Sequence, residues 1–259
     1  MEYHFDLIKE TKDEGKFAKE INGSNIRQIQ KPQSTRLKSN DDQLSIGYAI
    51  EIQRLAEAVR FISVRNSFQI IGITSALAGE GVSTLAAHIA YTTAQMEIPL
   101  QQTQEDVILV DTRIKHPSLH KQFDVQHSNS LLDIAGKSTL DLSIRKIRRS
   151  NMSLMTAKYC PKDANNGNVD LASLKGILEE LKSRFGTIFL DIPPILESTE
   201  GLRLSALCEG VILVVRAHRT KQQQVLEAKR LLQDAGVNIL GCHLNALKHF
   251  VPEWLHQRL

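Results

Sequence analysis

The chain of 259 residues contains no predominantly apolar run of about 18 residues, and its opening stretch, MEYHFDLIKETKDEGK, has no apolar core behind a basic start. Neither a membrane-spanning helix nor an export signal is therefore expected. Cysteine is scarce. Cys160, Cys208 and Cys242 are odd in number and widely spaced, with no CxxC pair, which argues against a disulfide framework or a structural zinc site and for a reducing cytosol. An excess of one charge is also missing: 32 Lys and Arg face 29 Asp and Glu, scattered along the chain. The resulting net charge of +3 is too small to imply nucleic acid, and no nucleic-acid partner is expected. No internal repeat is found. What is present, a 42% hydrophobic content in a chain of this length, suits one domain of ordinary size plus a tail.

Residues 1–45 are rich in Lys, Asp, Gln, Ser and Asn and read as a mobile arm or linker. A domain is expected over 46–247, followed by a short amphipathic tail over 248–259. In YAIEIQRLAEAVRFI, Ile52, Leu55, Val59 and Ile62 recur at helical spacing and predict an amphipathic helix entering that domain. Five short apolar runs follow, FQIIGIT, DVILVD, TIFLD, GVILVV and NILGCHL, alternating with helical patterns. Near-continuous Val/Ile/Leu runs fit strands buried on both faces, and their alternation with helices predicts a parallel sheet. Between them, Leu171, Leu174, Leu178, Leu181 and Phe185 form one helical stripe. A second helix is expected to bury Leu226 and Leu231 or Leu232 and to stop at Gly236.

The first of these runs leads into SALAGEGVST, Ser75 to Thr84, and then into the helical pattern VSTLAAHIAYTTAQM. Strand, Gly-rich turn and helix, in that order, are the context of a phosphate-binding loop of the GxxxxGK[ST] type, in which Gly79 and Gly81 let successive N–H groups converge on phosphate oxygens. The lysine position holds Val82. The Ser after that position, Ser83, is where such loops ligate Mg²⁺, aided by an Asp at a strand end. Two strands end that way, at Asp111 and at Asp191, and both would face the crevice beyond the carboxyl edge of the sheet. An Asp after a strand can equally cap the next helix.

Taken together, TSALAGEGVSTLAAHIA, VILVDTRIKHPSLHKQF, TIFLDIPPILESTEGLRLSALCEGVILVVRAHRT and ILGCHLN resemble the cytoplasmic kinase domain of bacterial tyrosine autokinases of capsule and exopolysaccharide synthesis. That family lies within the wider class of division and partition ATPases. The resemblance runs from about Glu51 to Asn245 and implies an α/β P-loop NTPase fold, a mostly parallel central sheet flanked by helices on both faces. It places the first nucleotide motif on Ala76 to Thr84, so that Gly79, Glu80, Gly81, Val82, Ser83 and Thr84 become the expected ATP or ADP contacts. Ser83 and Asp191 become the expected Mg²⁺ ligands, and Asp111 the expected catalytic residue that activates the attacking group. Asn245 either lies near the base or closes a strand. Glu51 and Arg54 match the start of the family's Glu-x-x-Arg oligomerisation segment, although the following Arg-Thr-Asn is missing.

The chain also departs from the family. Val82 removes the ammonium that would pair with the phosphates. In the second motif Asp-x-Asp becomes Asp111, Thr112, Arg113, which exchanges a carboxylate for a cation, and Arg113 either substitutes for lost positive charge or is solvated or salt-bridged. No tyrosine occurs in the last hundred residues, where the family carries its phosphorylated cluster. The connection through MEIPLQQTQED is longer than the family's turn. The tail LNALKHFVPEWLHQRL carries Trp254 among basic and apolar residues, and would dock on a membrane surface or partner, or pack on its own domain.

The expectation is a degenerate autokinase relative, with weakened ATP/ADP and Mg²⁺ binding, acting as a regulatory or scaffold component of exopolysaccharide or capsule assembly. Its implied partners are the cytoplasmic end of a membrane polysaccharide co-polymerase and further copies or an active kinase. The implied location is cytoplasmic, peripheral to the inner face of the plasma membrane through that partner. Two alternatives remain: a working ATPase or tyrosine kinase using a displaced cation, and a positioning ATPase of the partition type.

Overall fold

The computed structural model describes residues 46–96, 106–125, 143–148, 150–156 and 171–246. The arm expected over 1–45, the tail expected over 248–259 and Cys160 lie outside the described residues. The chain runs through α1 (Ile46–Asn66), β1 (Ile70–Ser75), α2 (Val82–Thr93), β2 (Val107–Asp111), the single turn α3 (Leu119–Gln122), β3 (Ile144–Lys146) and β4 (Met152–Met155). It continues through α4 (Leu171–Lys182), β5 (Thr187–Asp191), α5 (Thr199–Ser205), β6 (Gly210–Arg216), α6 (Gln222–Asp234) and β7 (Ile239–Asn245).

The seven strands form one sheet in the order β3-β4-β2-β5-β1-β6-β7, parallel except for the β3–β4 pair. All five apolar runs read from the sequence are strands of it. Strands β3 and β4 were not foreseen, because IRKIRRSNMSLM alternates charge with apolar residues and has no continuous hydrophobic run.

Side chains along these strands alternate between the two faces, and the sequence period of two decides which core each one joins. Ile71 and Ile73 of β1, Val107 and Leu109 of β2 and Phe189 of β5 pack with α1 and α2 on one face. Their neighbours Ile108, Val110, Ile188 and Leu190 pack with Leu174, Leu178 and Leu181 of α4 on the other. Under α6, Val211, Leu213 and Val215 meet Ala228 and Leu232. Helix α1 buries Ile52, Leu55 and Val59 as its spacing predicts, and leaves Glu51 and Arg54 exposed.

One expectation fails in α6: Leu226 is 54% exposed, and the buried positions are Ala228 and Leu232, with Val225 packed beside them. The reason is angular. Residues 225, 228 and 232 share one face at helical spacing, whereas 226 lies about a third of a turn away from them. Among the described residues no helix is long and apolar enough to cross a membrane.

The exit of β5 is held against β1 and α5. Pro193 offers its carbonyl to the Thr74 hydroxyl at 2.8 Å, and a Cβ on Gly201 would come within 2.5 Å of the same oxygen. Backbone on both sides leaves no flexible side chain to move aside. Gly201→Ala is therefore expected to lower stability by about 1–3 kcal/mol. Urea unfolding of the two proteins checks this, and an unchanged midpoint would show that α5 can shift freely on the loop after Asp191.

Candidate functional site

The carboxyl ends of β1, β2 and β5 converge on a cleft of about 280 Å³ lined mainly by residues 78–84 of the loop, with Arg113, Ser118 and Gln122 across from them. The loop folds because two glycines take left-handed conformations, Gly79 at φ 78° and Gly81 at φ 91°, which an L side chain rarely adopts. Gly81 also precedes the first turn of α2 and has no side chain with which to cap it. The leading N–H groups of that helix are thus left for a ligand or water, with the positive end of the helix dipole behind them.

Val82 is not a vacancy. Only 5% exposed, it joins the core cluster that also contains Leu85, Ala86 and Ile89 of α2. The position that would send an ammonium toward phosphates here anchors the helix instead. Ser83 is buried as well, whereas Thr84 is exposed.

The two strand-ending carboxylates differ sharply. Asp111 and Asp191 sit opposite each other in the parallel β2–β5 register. Asp111 accepts N–H bonds from Arg113 at 3.0 Å, Ser118 at 3.1 Å and Leu119 at 3.3 Å, so it secures the turn leading into α3. Asp191 is fully buried, and neither of its carboxylate oxygens has a partner at hydrogen-bond geometry among the described residues, although the Ser83 hydroxyl lies close enough to act on it. Burial and then the Asp111 charge push its carboxyl up to about 8, against the pull of the nearby Ser83 hydroxyl and of Arg113. Burial also raises Asp111, although its three N–H donors and Arg113 oppose that. Burial and the neighbouring carboxylate act in the same direction on Asp191, whereas Asp111 has three N–H donors to oppose its own burial.

A hard cation such as Mg²⁺ would find oxygen ligands here in Asp191 and the Ser83 hydroxyl, and the unpartnered, buried Asp191 oxygens fit one. The chain brings a cation of its own to the same place. Arg113 donates from Nη1 to Ser83 Oγ at 2.9 Å, and its guanidinium is the only Lys or Arg group among the described residues that line the cleft.

On the opposite side the loop is braced by residues that sequence reasoning missed or read otherwise. Arg216 donates to the Gly79 carbonyl at 3.0 Å and Arg219 to the same oxygen at 3.5 Å, while the Thr220 hydroxyl donates to the buried Glu80 carboxylate. Burial raises the Glu80 carboxyl, opposed first by that hydroxyl. Asn245 donates to the Glu80 carbonyl at 2.8 Å, and its Nδ2 lies where a Cβ on Gly81 would sit. It acts as a strut under the loop. The signal for Arg216 and Arg219 was available in VVRAHRT, which directly follows a strand and so emerges at the ligand-binding edge of the sheet.

The Asp191 carboxyl generates a pH dependence whose sign follows from its direction. Its folded pKa is raised from 3.8 to about 8, so within that window the folded state holds a proton that the unfolded chain has lost. Stability must therefore fall as pH rises through the window. Melting temperatures of the native chain should decline from acid toward alkaline pH in this range, and those of Asp191→Asn should decline less. Parallel curves would show that Asp191 is not held protonated.

No protein-family model matches the chain. Among curated proteins, CapB of Staphylococcus aureus, named a putative tyrosine-protein kinase, is 30% identical over 192 residues, 73% of this chain and 80% of CapB. Tyrosine-protein kinase YwqD of Bacillus subtilis is 26% identical over 194 residues, 73% of this chain and 77% of YwqD. The kinase domain of the Escherichia coli tyrosine kinase ETK superposes with a TM-score of 0.68 at 20% identity, covering 79% of this chain and 78% of that one. With a P-loop NTPase fold of mostly parallel strands and this degree of likeness to CapB, the chain belongs to the bacterial tyrosine-protein kinases.

Proposed function

We propose that this chain is a nucleotide-binding member of its family in which phosphoryl transfer is impaired, and that it serves as a regulatory or scaffold component of exopolysaccharide or capsule synthesis. The observation that carries this reading is the phosphate loop itself. Its left-handed glycines and uncapped helix start are intact, but the lysine position is filled by a valine turned into the core. Backbone N–H groups and the helix dipole can hold a polyphosphate without that lysine. Transfer is more sensitive, because its catalysis consists mostly of positioning the phosphoryl group and neutralising charge as it develops.

The cleft volume of about 280 Å³ suits a di- or triphosphate chain, with the nucleoside outside on the rim. Asp191 and the Ser83 hydroxyl are the oxygen ligands that a Mg²⁺ ion would take, and Arg113 already reaches that hydroxyl. Asp111, already engaged with three N–H donors, is better suited to fixing the turn than to taking a proton from an attacking hydroxyl. Through its family the chain would dock at the cytoplasmic end of a membrane polysaccharide co-polymerase, alone or with an active kinase, and so lie at the inner face of the plasma membrane. The exposed Glu51 and Arg54 of α1 are the matched positions for contact with another kinase-like subunit.

Calorimetric titration with ADP and with a non-hydrolysable ATP analogue, both in Mg²⁺, should show binding by the native chain. Transfer from radiolabelled ATP should stay at background in the native chain and rise in Val82→Lys. Robust native transfer abolished by Asp111→Ala and by Asp191→Ala would replace this reading with that of a working enzyme.

A further inference from the structure

Arg113 starts just beyond β2 and its guanidinium ends at Ser83 on the first turn of α2, at the same edge of the sheet where the neighbouring strand β5 ends. Asp191 is the last residue of β5. The guanidinium thus reaches the hydroxyl that would otherwise ligate a metal, and its charge acts on the buried Asp191 carboxylate nearby. Its base is fixed, because the Arg113 N–H is tied to Asp111 Oδ1 at 3.0 Å and Thr112 is tied to the Asp191 carbonyl through both its N–H and its hydroxyl.

The permanent cations that could meet a phosphate in this loop are normally a lysine and a divalent metal. Here the lysine position is apolar, and the metal position already has a permanent positive charge beside it. A dication arriving at Ser83 must displace the guanidinium or tolerate a like charge next to it. A phosphate arriving at the cleft meets a planar donor fork suited to two oxygens at once.

On the reading that this cleft binds a nucleotide, we propose that Arg113 is the built-in cation of the phosphate loop, taking over the charge of both the missing lysine and Mg²⁺, so that a nucleoside diphosphate is bound without any divalent metal. The substitution of a carboxylate by Arg113 in the second motif and the loss of lysine at Val82 then form one compensated change rather than two defects.

The test is calorimetric titration of the full chain with ADP, once in EDTA and once in excess Mg²⁺, for the native protein, Arg113→Gln and Arg113→Asp, with melting curves to confirm that each variant is folded. The native affinity should be nearly the same in the two buffers. In EDTA, Arg113→Gln should bind more weakly by about tenfold or more, the scale of one hydrogen bond to a charged group. Arg113→Asp, which restores a carboxylate beside Asp191, should lose binding in EDTA and regain it with Mg²⁺. Native binding that requires Mg²⁺, or Arg113→Gln binding as well as the native chain in EDTA, overturns the proposal and leaves the nucleotide reading standing. Absence of ADP binding by the native chain in both buffers overturns the nucleotide reading and the proposal with it.

Discussion

The parallel pairing of β5 between β2 and β1 is the constraint on which this molecule turns. It is set by continuous apolar runs whose alternate residues must fill cores on both faces, and a slip of one residue would turn every one of those side chains to the wrong face. With the register fixed, Asp191 has Asp111 beside it on one neighbour and Ile73 on the other. Two carboxylates are thereby held together where water does not reach. The raised carboxyl of Asp191 and the exclusion of water from it both follow from that placement.

Burial of an unpaired charge is costly, and proteins meet the cost by pairing the group, neutralising it or supplying a cation. All three responses occur within one short stretch of this site. Asp111 is paired with backbone N–H groups, Asp191 is neutralised by its raised pKa, and Arg113 brings the positive charge. On the other flank of the loop, Arg216, Arg219, Thr220 and Asn245 hold the carbonyls and carboxylate of Gly79 and Glu80. A loop braced on both sides is preorganised, so a ligand need not spend binding energy ordering it.

Val82 shows how a family's catalytic position can acquire a structural role. Its burial with Leu85 and Ala86 strengthens the seating of α2 on the sheet, while the loop's backbone geometry, which depends on glycine rather than on lysine, is untouched. On the proposed reading, binding and transfer draw on different parts of the same motif, so that loss of one side chain would separate them without disturbing the fold.

The strands β1, β2, β5, β6 and β7, the phosphate loop, the α2 start and the two strand-ending aspartates were legible in the sequence, because each depends on a local signal: a continuous apolar run, a glycine pair, a charge at the end of a strand. Strands β3 and β4 were not, since a charged three-residue edge strand and the four-residue strand inside it form only through the neighbours that complete their hydrogen bonds. Nor was the exposure of Leu226, which depends on the rotation of α6 chosen by its packing under β6. The same holds within the site. Sequence alone led to the expectation that Asp111, Asp191 and Ser83 meet at one edge of one sheet, and the capping alternative for an Asp after a strand is the role Asp111 takes through donors two to eight residues on. Only the tertiary structure decided that the Asp191 carboxylate is left buried and bare and that Arg113 reaches Ser83, 30 positions away in the chain, a distance that no local pattern encodes.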